Sequence, residues 1–318
     1  MVAGVVRIRR AERAVPRSSP PITNLPLPPA QLVDRLRSED VTIVSVEAAG
    51  GGVMGAKKLT LLLGEDGFRI DVKWKAAPAG GEGWKNSPRR EVAAYTAQEL
   101  FLDPHDYPVP PVVARGIPLD TYAPVDGNAV PQVEGTRCVF GATAAWLRNV
   151  SQPERAFDPE RFSQDAQYAF HFANLNLLAY LIAHRDARSN NFLMSTDPSN
   201  PRVFSIDNGI AFGGVLYNFF TWHFDEIRTR GLPKESVDRL RYVRRKELSK
   251  LGVLGELEAD SAGLLRPVEP GDNVDPDTGT RIAPGRVQFG LTAREIEAMA
   301  TRLQRLLERI DAGELATF

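Results

Sequence analysis

Three side chains in the second half of the chain could together carry metal-assisted chemistry: Asp186, Asn191 and Asp207. Two carboxylates and an amide offer oxygen donors of the kind a hard divalent cation such as Mg²⁺ takes. A carboxylate can also orient an attacking hydroxyl or accept its proton. They lie in His184-Arg185-Asp186-Ala187-Arg188-Ser189-Asn190-Asn191 and in Ile206-Asp207-Asn208-Gly209. Neither run is specific alone, because an Asp-x-x-x-x-Asn spacing arises often by chance and Asp-Asn-Gly is a common turn. Their joint context says more. A long apolar stretch precedes the first run, and two short β-like segments, 191–194 and 203–206, bracket the interval as a hairpin would. Gly209 lets the backbone turn sharply after Asp207.

Further candidates lie upstream. Gly50, Gly52 and Gly55 stand in G-x-G-x-x-G order between two β-like segments. Glycine there lets backbone N–H groups approach phosphates, although a hairpin turn also wants glycine. A strand rather than a helix follows, which argues against a dinucleotide-binding βαβ unit. Lys73 and Lys75 are two residues apart on a strand and share one face. One or both could equally be solvent-facing lysines that protect a sheet edge. Glu91 opens a helical segment, where the helix dipole favours a carboxylate whatever else it does.

The elements that must position these groups can be read from the pattern. Residues 1–28 are rich in Arg, Ser and Pro and read as a mobile or extended tail. A short helix follows, with proline near its start. From residue 41 the pattern turns β-like: VTIVSVEA, the glycine-rich turn, then KKLTLLLGEDGFRIDVKWKA as two strands around a turn at 64–67. RREVAAYTAQELF is helical, and strands are expected in 107–120 and 133–142. The second half changes to helix: one long apolar helix over 162–186, a helical stretch over 221–257, and a closing amphipathic helix with Thr292 as N-cap and Glu295 completing a capping box. Residues 259–290, rich in Gly, Pro and Asp, read as an irregular loop. Strands followed by helices imply an α+β chain in two parts.

Composition removes other classes. The chain has 318 residues, 43 % hydrophobic and 25 % charged, which suits a large domain or two lobes and excludes overall disorder. A formal net charge of −1 gives no basic excess for nucleic acid. The basic run 241–246 reads as an exposed helical face. The single cysteine, Cys138, sits in an apolar strand-like run and reads as a buried structural thiol. It rules out an internal disulfide framework and a cysteine-based zinc site. His105, His171 and His223 have no ligand spacing. No segment approaches the roughly 20 apolar residues of a membrane span, and arginines follow rather than precede the first apolar run, the wrong order for a secretory signal. A cytoplasmic location is favoured, with a secreted or periplasmic one open if the start is processed.

Together the runs H-R-D-x-x-x-x-N and D-x-G resemble the protein-kinase-like superfamily. The resemblance implies a bilobal fold, with a β-rich N-lobe over 29–141 and a mainly helical C-lobe over 142–318. It implies an ATP- and Mg²⁺- (or Mn²⁺-) dependent transfer to a hydroxyl acceptor. Asp186 would orient or deprotonate the acceptor; Asn191 and Asp207 would hold the metal. Gly50, Gly52 and Gly55 would cover the phosphates. Lys75, with Lys73 as its substitute, would reach them, and Glu91 would pair with that lysine. Phe140-Gly141-Ala142 would be the hinge beside adenine, and His184 and Arg185 would be structural. Asp207 is followed by Asn-Gly rather than Phe-Gly, and no A-P-E segment comes after. With R-x-E-V-A-A-Y, these departures are similar to the atypical kinases: Fam20-like secretory-pathway, HipA-like bacterial and phosphatidylinositol kinases. A nucleotide-binding pseudokinase, or the same fold transferring AMP, remain the alternatives. The acceptor, whether protein, lipid or metabolite, is not readable.

Overall fold

The computed structural model describes residues 23–38, 40–49, 55–83, 86–213 and 227–318. Gly50 and Gly52, the tail up to residue 22, and residues 221–226 of the expected helical stretch lie outside them. The first half is built on α1 (Pro29–Leu36), β1 (Val41–Ala48), β2 (Lys57–Leu63), β3 (Phe68–Ala76), α2 (Pro88–Gln98), β4 (Val112–Pro118), α3 (Leu119–Tyr122) and β5 (Cys138–Ala145). The five strands form one antiparallel sheet in the order β1-β2-β3-β5-β4.

Alternation along the strands sends apolar residues to both faces, because both are covered. Leu59, Leu61, Ile70, Val72 and Trp74 pack with Leu32 and Leu36 of α1 on one side. The buried Trp74 indole donates to the Tyr122 hydroxyl at 3.1 Å, so α3 satisfies the one polar atom that strand buries there. The opposite face carries Lys73 and Lys75 and is covered by α2, whose Ala93, Ala94 and Ala97 are fully buried. Small residues let the helix lie close to the sheet. β5 runs on through Ala145, past the strand end expected at 142.

The second half holds β6 (Val150–Ser151), α4 (Pro159–Gln164), α5 (Ala166–Leu181), β7 (Phe192–Ser195), β8 (Val203–Ser205), β9 (Gly231–Leu232), α6 (Lys234–Leu240) and α7 (Arg245–Ser249). They are followed by β10 (Gly255–Ala259), β11 (Leu265–Val268), β12 (Thr280–Ala283), β13 (Arg286–Phe289), α8 (Ala293–Asp311) and β14 (Ala316–Thr317). The expected long helix is divided at Asp165. Its side chain accepts from the N–H groups of Gln167 and Tyr168 and so starts a new helix instead of continuing the old one. α5 is buried along most of its length, Asn174 and Asn176 included, and only its first two residues, Ala166 and Gln167, are exposed. The capping box of Thr292 and Glu295 starts α8 as expected.

Two expectations fail. In the described part of 221–257 the chain forms two short helices and two strands, with Pro233 at the N-cap position of α6. Residues 259–290 are not an irregular loop. They contribute to a four-stranded antiparallel sheet of order β11-β10-β13-β12. Its strands are too short to show periodicity in sequence, and Gly263 and Gly285 take left-handed φ of +76° and +70° in its turns. This sheet returns to the first half. Leu257, Leu265, Val287 and Phe289 pack on Val92 of α2 and on Cys138 and Phe140 of β5. Among the described residues no helix is long and apolar enough to cross a membrane.

Candidate active site

A cleft of about 1130 Å³ is walled by β3, α2 and β5 on one side and by β7, β8 and the loop before β7 on the other. Asp186, Asn191, Asp207, Lys73, Lys75 and Glu91 all line it. The β7–β8 hairpin explains how the first three meet. Phe192 is paired with Ser205, and the Ile206 N–H donates to the Asn191 carbonyl at 2.9 Å. Asn191 enters one strand where Asp207 leaves its antiparallel neighbour, so the two stand side by side. Asp186 is joined to them by the Asn191 amide, which donates to the Asp186 carbonyl at 2.7 Å and to its Oδ2 at 2.9 Å. With its NH₂ so engaged, the Asn191 amide has only its oxygen left to offer a cation.

Asp207 has φ +61°, a left-handed conformation that non-glycine residues adopt rarely and that collects at functional sites. Neighbours hold it there. Asn208 donates its N–H to Glu91 Oε2 at 2.9 Å, and the Ser205 hydroxyl donates to Asn208 Oδ1 at 3.0 Å. Glu91 therefore faces two ways, because its other oxygen meets Lys75 Nζ at 3.4 Å. Lys75 in turn donates to Asp207 Oδ1. Lys73 stands 3.6 Å from the same oxygen. Both lysines thus face the cleft, but only Lys75 is buried, at 5 % exposure, and tied to α2.

The charges set the protonation states. Burial works to raise the Asp207 carboxyl, but the ammonium groups of Lys73 and Lys75 outweigh it and lower its pKa to about 2. Burial likewise works against the Lys75 ammonium, and Glu91 and Asp207 more than restore it. His184 lies fully enclosed beneath the loop, with both ring nitrogens lacking a partner among the described residues, and burial pushes its pKa down. It is neutral, in keeping with a packing role.

Residues outside the motifs also matter. Arg188 Nη2 donates to Asp186 Oδ2 at 3.5 Å, and its Nε lies 2.8 Å from Oδ1 without hydrogen-bond alignment. Only its nearness to Asp186 in sequence could have flagged it. The cleft thus balances Lys73, Lys75 and Arg188 against Glu91, Asp186 and Asp207. Its inner wall is apolar, with Val112, Ala142, Ala144, Leu193 and Ile206.

The expected segment Phe140-Gly141-Ala142 is not where the chain crosses between the walls. Phe140 packs against Phe289, and Gly141 lies within the sheet opposite Ala76. The crossing is Ala145, Trp146 and Leu147, all of which line the cleft. The Trp146 N–H donates to the Asp71 carbonyl at 2.9 Å, whereas the Leu147 N–H takes no partner among the described residues. Of Gly50, Gly52 and Gly55, only Gly55 is described, at φ +69°. It is not part of the cleft wall, but Ala49 and Ala56, at the two ends of that connection, are.

Oxygen donors from Asp207 and Asn191 suit a hard cation. Among the described residues no three His, Cys, Asp or Glu side chains gather to hold a metal alone. A cation here would take further oxygens from its ligand, as Mg²⁺ does with phosphates. The arrangement can therefore bind a polyanion together with a divalent cation, next to a carboxylate able to take a proton. No family model matches the chain, and no curated protein matches its sequence.

Proposed function

We propose that the chain is an ATP- and Mg²⁺-dependent phosphotransferase with a bilobal, atypical protein-kinase-like fold. One observation carries the reading: Lys75 joins Glu91 of α2 to Asp207, in the same cleft as Asp186 and Asn191. These residues come from separate segments, and packing alone gives no reason to bury a lysine where they meet. A five-stranded sheet with the lysine on its middle strand and a helix glutamate behind it supports the fold assignment.

In this reading the adenine ring lies in the apolar slot, with the Leu147 N–H as a donor to it. Lys75, held by Glu91, binds the α- and β-phosphates, and Lys73 adds positive charge beside it. Asn191 and Asp207 would hold Mg²⁺, which supplies neutralising charge to the phosphates when bound. Asp186 accepts the proton of the acceptor hydroxyl as its oxygen attacks the γ-phosphorus. The bond from that phosphorus to the β,γ-bridging oxygen breaks, and ADP leaves. Arg188 must release Asp186 for this, or turn toward the transferred phosphoryl group.

Incubation with ATP and Mg²⁺ alongside a panel of hydroxyl compounds, followed by intact mass of protein and acceptors, tests the reading. Addition of a phosphoryl group to the protein or a panel member supports it. Addition of AMP moves the reading to adenylyl transfer, and tight ATP binding with no transfer moves it to a pseudokinase.

A further inference from the structure

The end of α2 that carries Glu91 is held by a distant part of the chain. Its first turn is Pro88, Arg89, Arg90 and Glu91, and the Ser87 side chain makes no cap. Two cations at the positive end of a helix dipole are unfavourable. Both are also buried, at 3 % and 6 % exposure, and a buried guanidinium needs carboxylates. Glu82 supplies one, accepting from Arg89 Nε at 2.7 Å and Nη2 at 2.9 Å. Glu295 supplies the other. It accepts from Arg89 Nη1 at 2.6 Å and Nη2 at 3.1 Å, and from Arg90 Nε at 3.1 Å and Nη2 at 2.8 Å.

Glu295 is itself anchored. As the third residue of α8 it accepts from the Thr292 N–H at 2.9 Å and the Thr292 hydroxyl at 3.2 Å. The path from α2 to it is shaped for Arg89. A Cβ at Gly279 would overlap the guanidinium, and Arg89 Nη1 donates to the Gly290 carbonyl at 3.3 Å on the way. Burial works to raise the Glu295 carboxyl, but Arg89 and Arg90 hold it below its usual value, so it is anionic at neutral pH.

We propose that Glu295 is a positioning residue for the phosphotransfer site: it clamps the first turn of α2 through Arg89 and Arg90 and so keeps Glu91 on Lys75 and on the Asn208 N–H. This rests on the phosphotransferase reading above. The sheet β10–β13 then has a purpose beyond covering apolar surface, since it delivers α8 to α2. The productive place of α2 is set when the C-terminal part folds onto the first sheet.

The test is a double-mutant cycle between Glu295→Gln and Glu91→Gln, with kcat and KM for ATP measured in each background. Glu295→Gln keeps the size of the side chain but loses its charge. The expected result is a loss in kcat/KM of about tenfold or more alone, and less than about twofold in the Glu91→Gln background. Equal losses in both backgrounds overturn the proposal, because a purely structural role is additive. Hydrogen exchange of the α2 amides gives a readout independent of activity. Faster exchange in Glu295→Gln, with no such change in Glu256→Gln, supports the clamp; unchanged exchange overturns it. Glu256 is a buried carboxylate of the same sheet, bonded to Gln288 and Arg286 rather than to α2. If Glu295→Gln does not fold, Arg90→Gln loosens the same clamp and is read the same way. A wild-type protein that neither binds nor transfers from ATP refutes the phosphotransferase reading, while the exchange data still decide the clamp.

Discussion

Replacing Asp207 by asparagine keeps the shape of the side chain and an oxygen for Lys75 but removes one charge from a balanced cluster. Lys73 and Lys75 face Asp207 and Glu91, so the variant leaves two cations against one anion. The Asp207 carboxyl is lowered from 3.8 to about 2, because the two lysines outweigh the effect of burial. Taken whole, that shift is worth about 2 kcal/mol. The side chain is 39 % exposed, so solvent screens part of it, and about 1 kcal/mol is the realistic loss at neutral pH. The sign follows from the direction. The folded value lies below the unfolded one, so the stabilisation is complete above pH ~4 and is lost as pH falls toward ~2. Urea unfolding of both proteins is the assay. The gap is expected to be the same at pH ~7 and pH ~5 and to shrink by pH ~3. An Asp207→Asn protein as stable as the wild type, or more so, at neutral pH would refute the argument. It would mean that the lysines do not hold this carboxylate in solution.

Three further outcomes are expected. Gly141→Ala places a Cβ against the Lys75 carbonyl and 2.8 Å from the Trp74 ring, and should cost about 3 kcal/mol in denaturant unfolding; a loss below about 1 kcal/mol would show that the strands do not need this approach. Lys75→Met should weaken Mg²⁺–ATP binding by at least about tenfold more than Lys73→Met, measured by calorimetry, because only Lys75 is fixed by Glu91; equal losses would reverse that ranking. Cys138 is 1 % exposed, and burial pushes its thiol pKa up. A water-soluble disulfide reagent should label it at least about 100-fold more slowly in the native than in the denatured protein, and comparable rates would place the sheet β10–β13 elsewhere.

Local signals were legible in the sequence where the physics is local. The β2–β3 hairpin follows from alternation around a glycine turn, and the start of α8 from a Thr292–Glu295 box whose two halves lie within one turn. The convergence of Lys75, Glu91 and Asp207 was legible only through motif order, since no spacing rule links residues so far apart. What escaped depends on long-range pairing. The strands β10 to β13 hold too few residues each to display a period, and their stability comes from packing on Val92 and Phe140. Where β5 leaves the sheet is fixed by its partners, with Trp146 donating to Asp71, so 140–142 could not be distinguished from 145–147 by composition. Asp165 divides the expected long helix because an aspartate can cap as well as continue. Nothing near Arg89 and Arg90 in sequence points to Glu295 at the start of α8, which meets both.

In the proposed function, Asp207 and Asn191 join a divalent cation to a nucleotide held by Lys75. Calorimetric titration of ATP into the whole protein, with Mg²⁺ and with a chelator, tests it most directly, in the wild type and in Asp207→Ala. The predicted result is saturable binding to the wild type that is strengthened by Mg²⁺, and in Asp207→Ala a folded protein that has lost the Mg²⁺ enhancement. The absence of saturable binding to the wild type, or a Mg²⁺ enhancement that survives in Asp207→Ala, would contradict it.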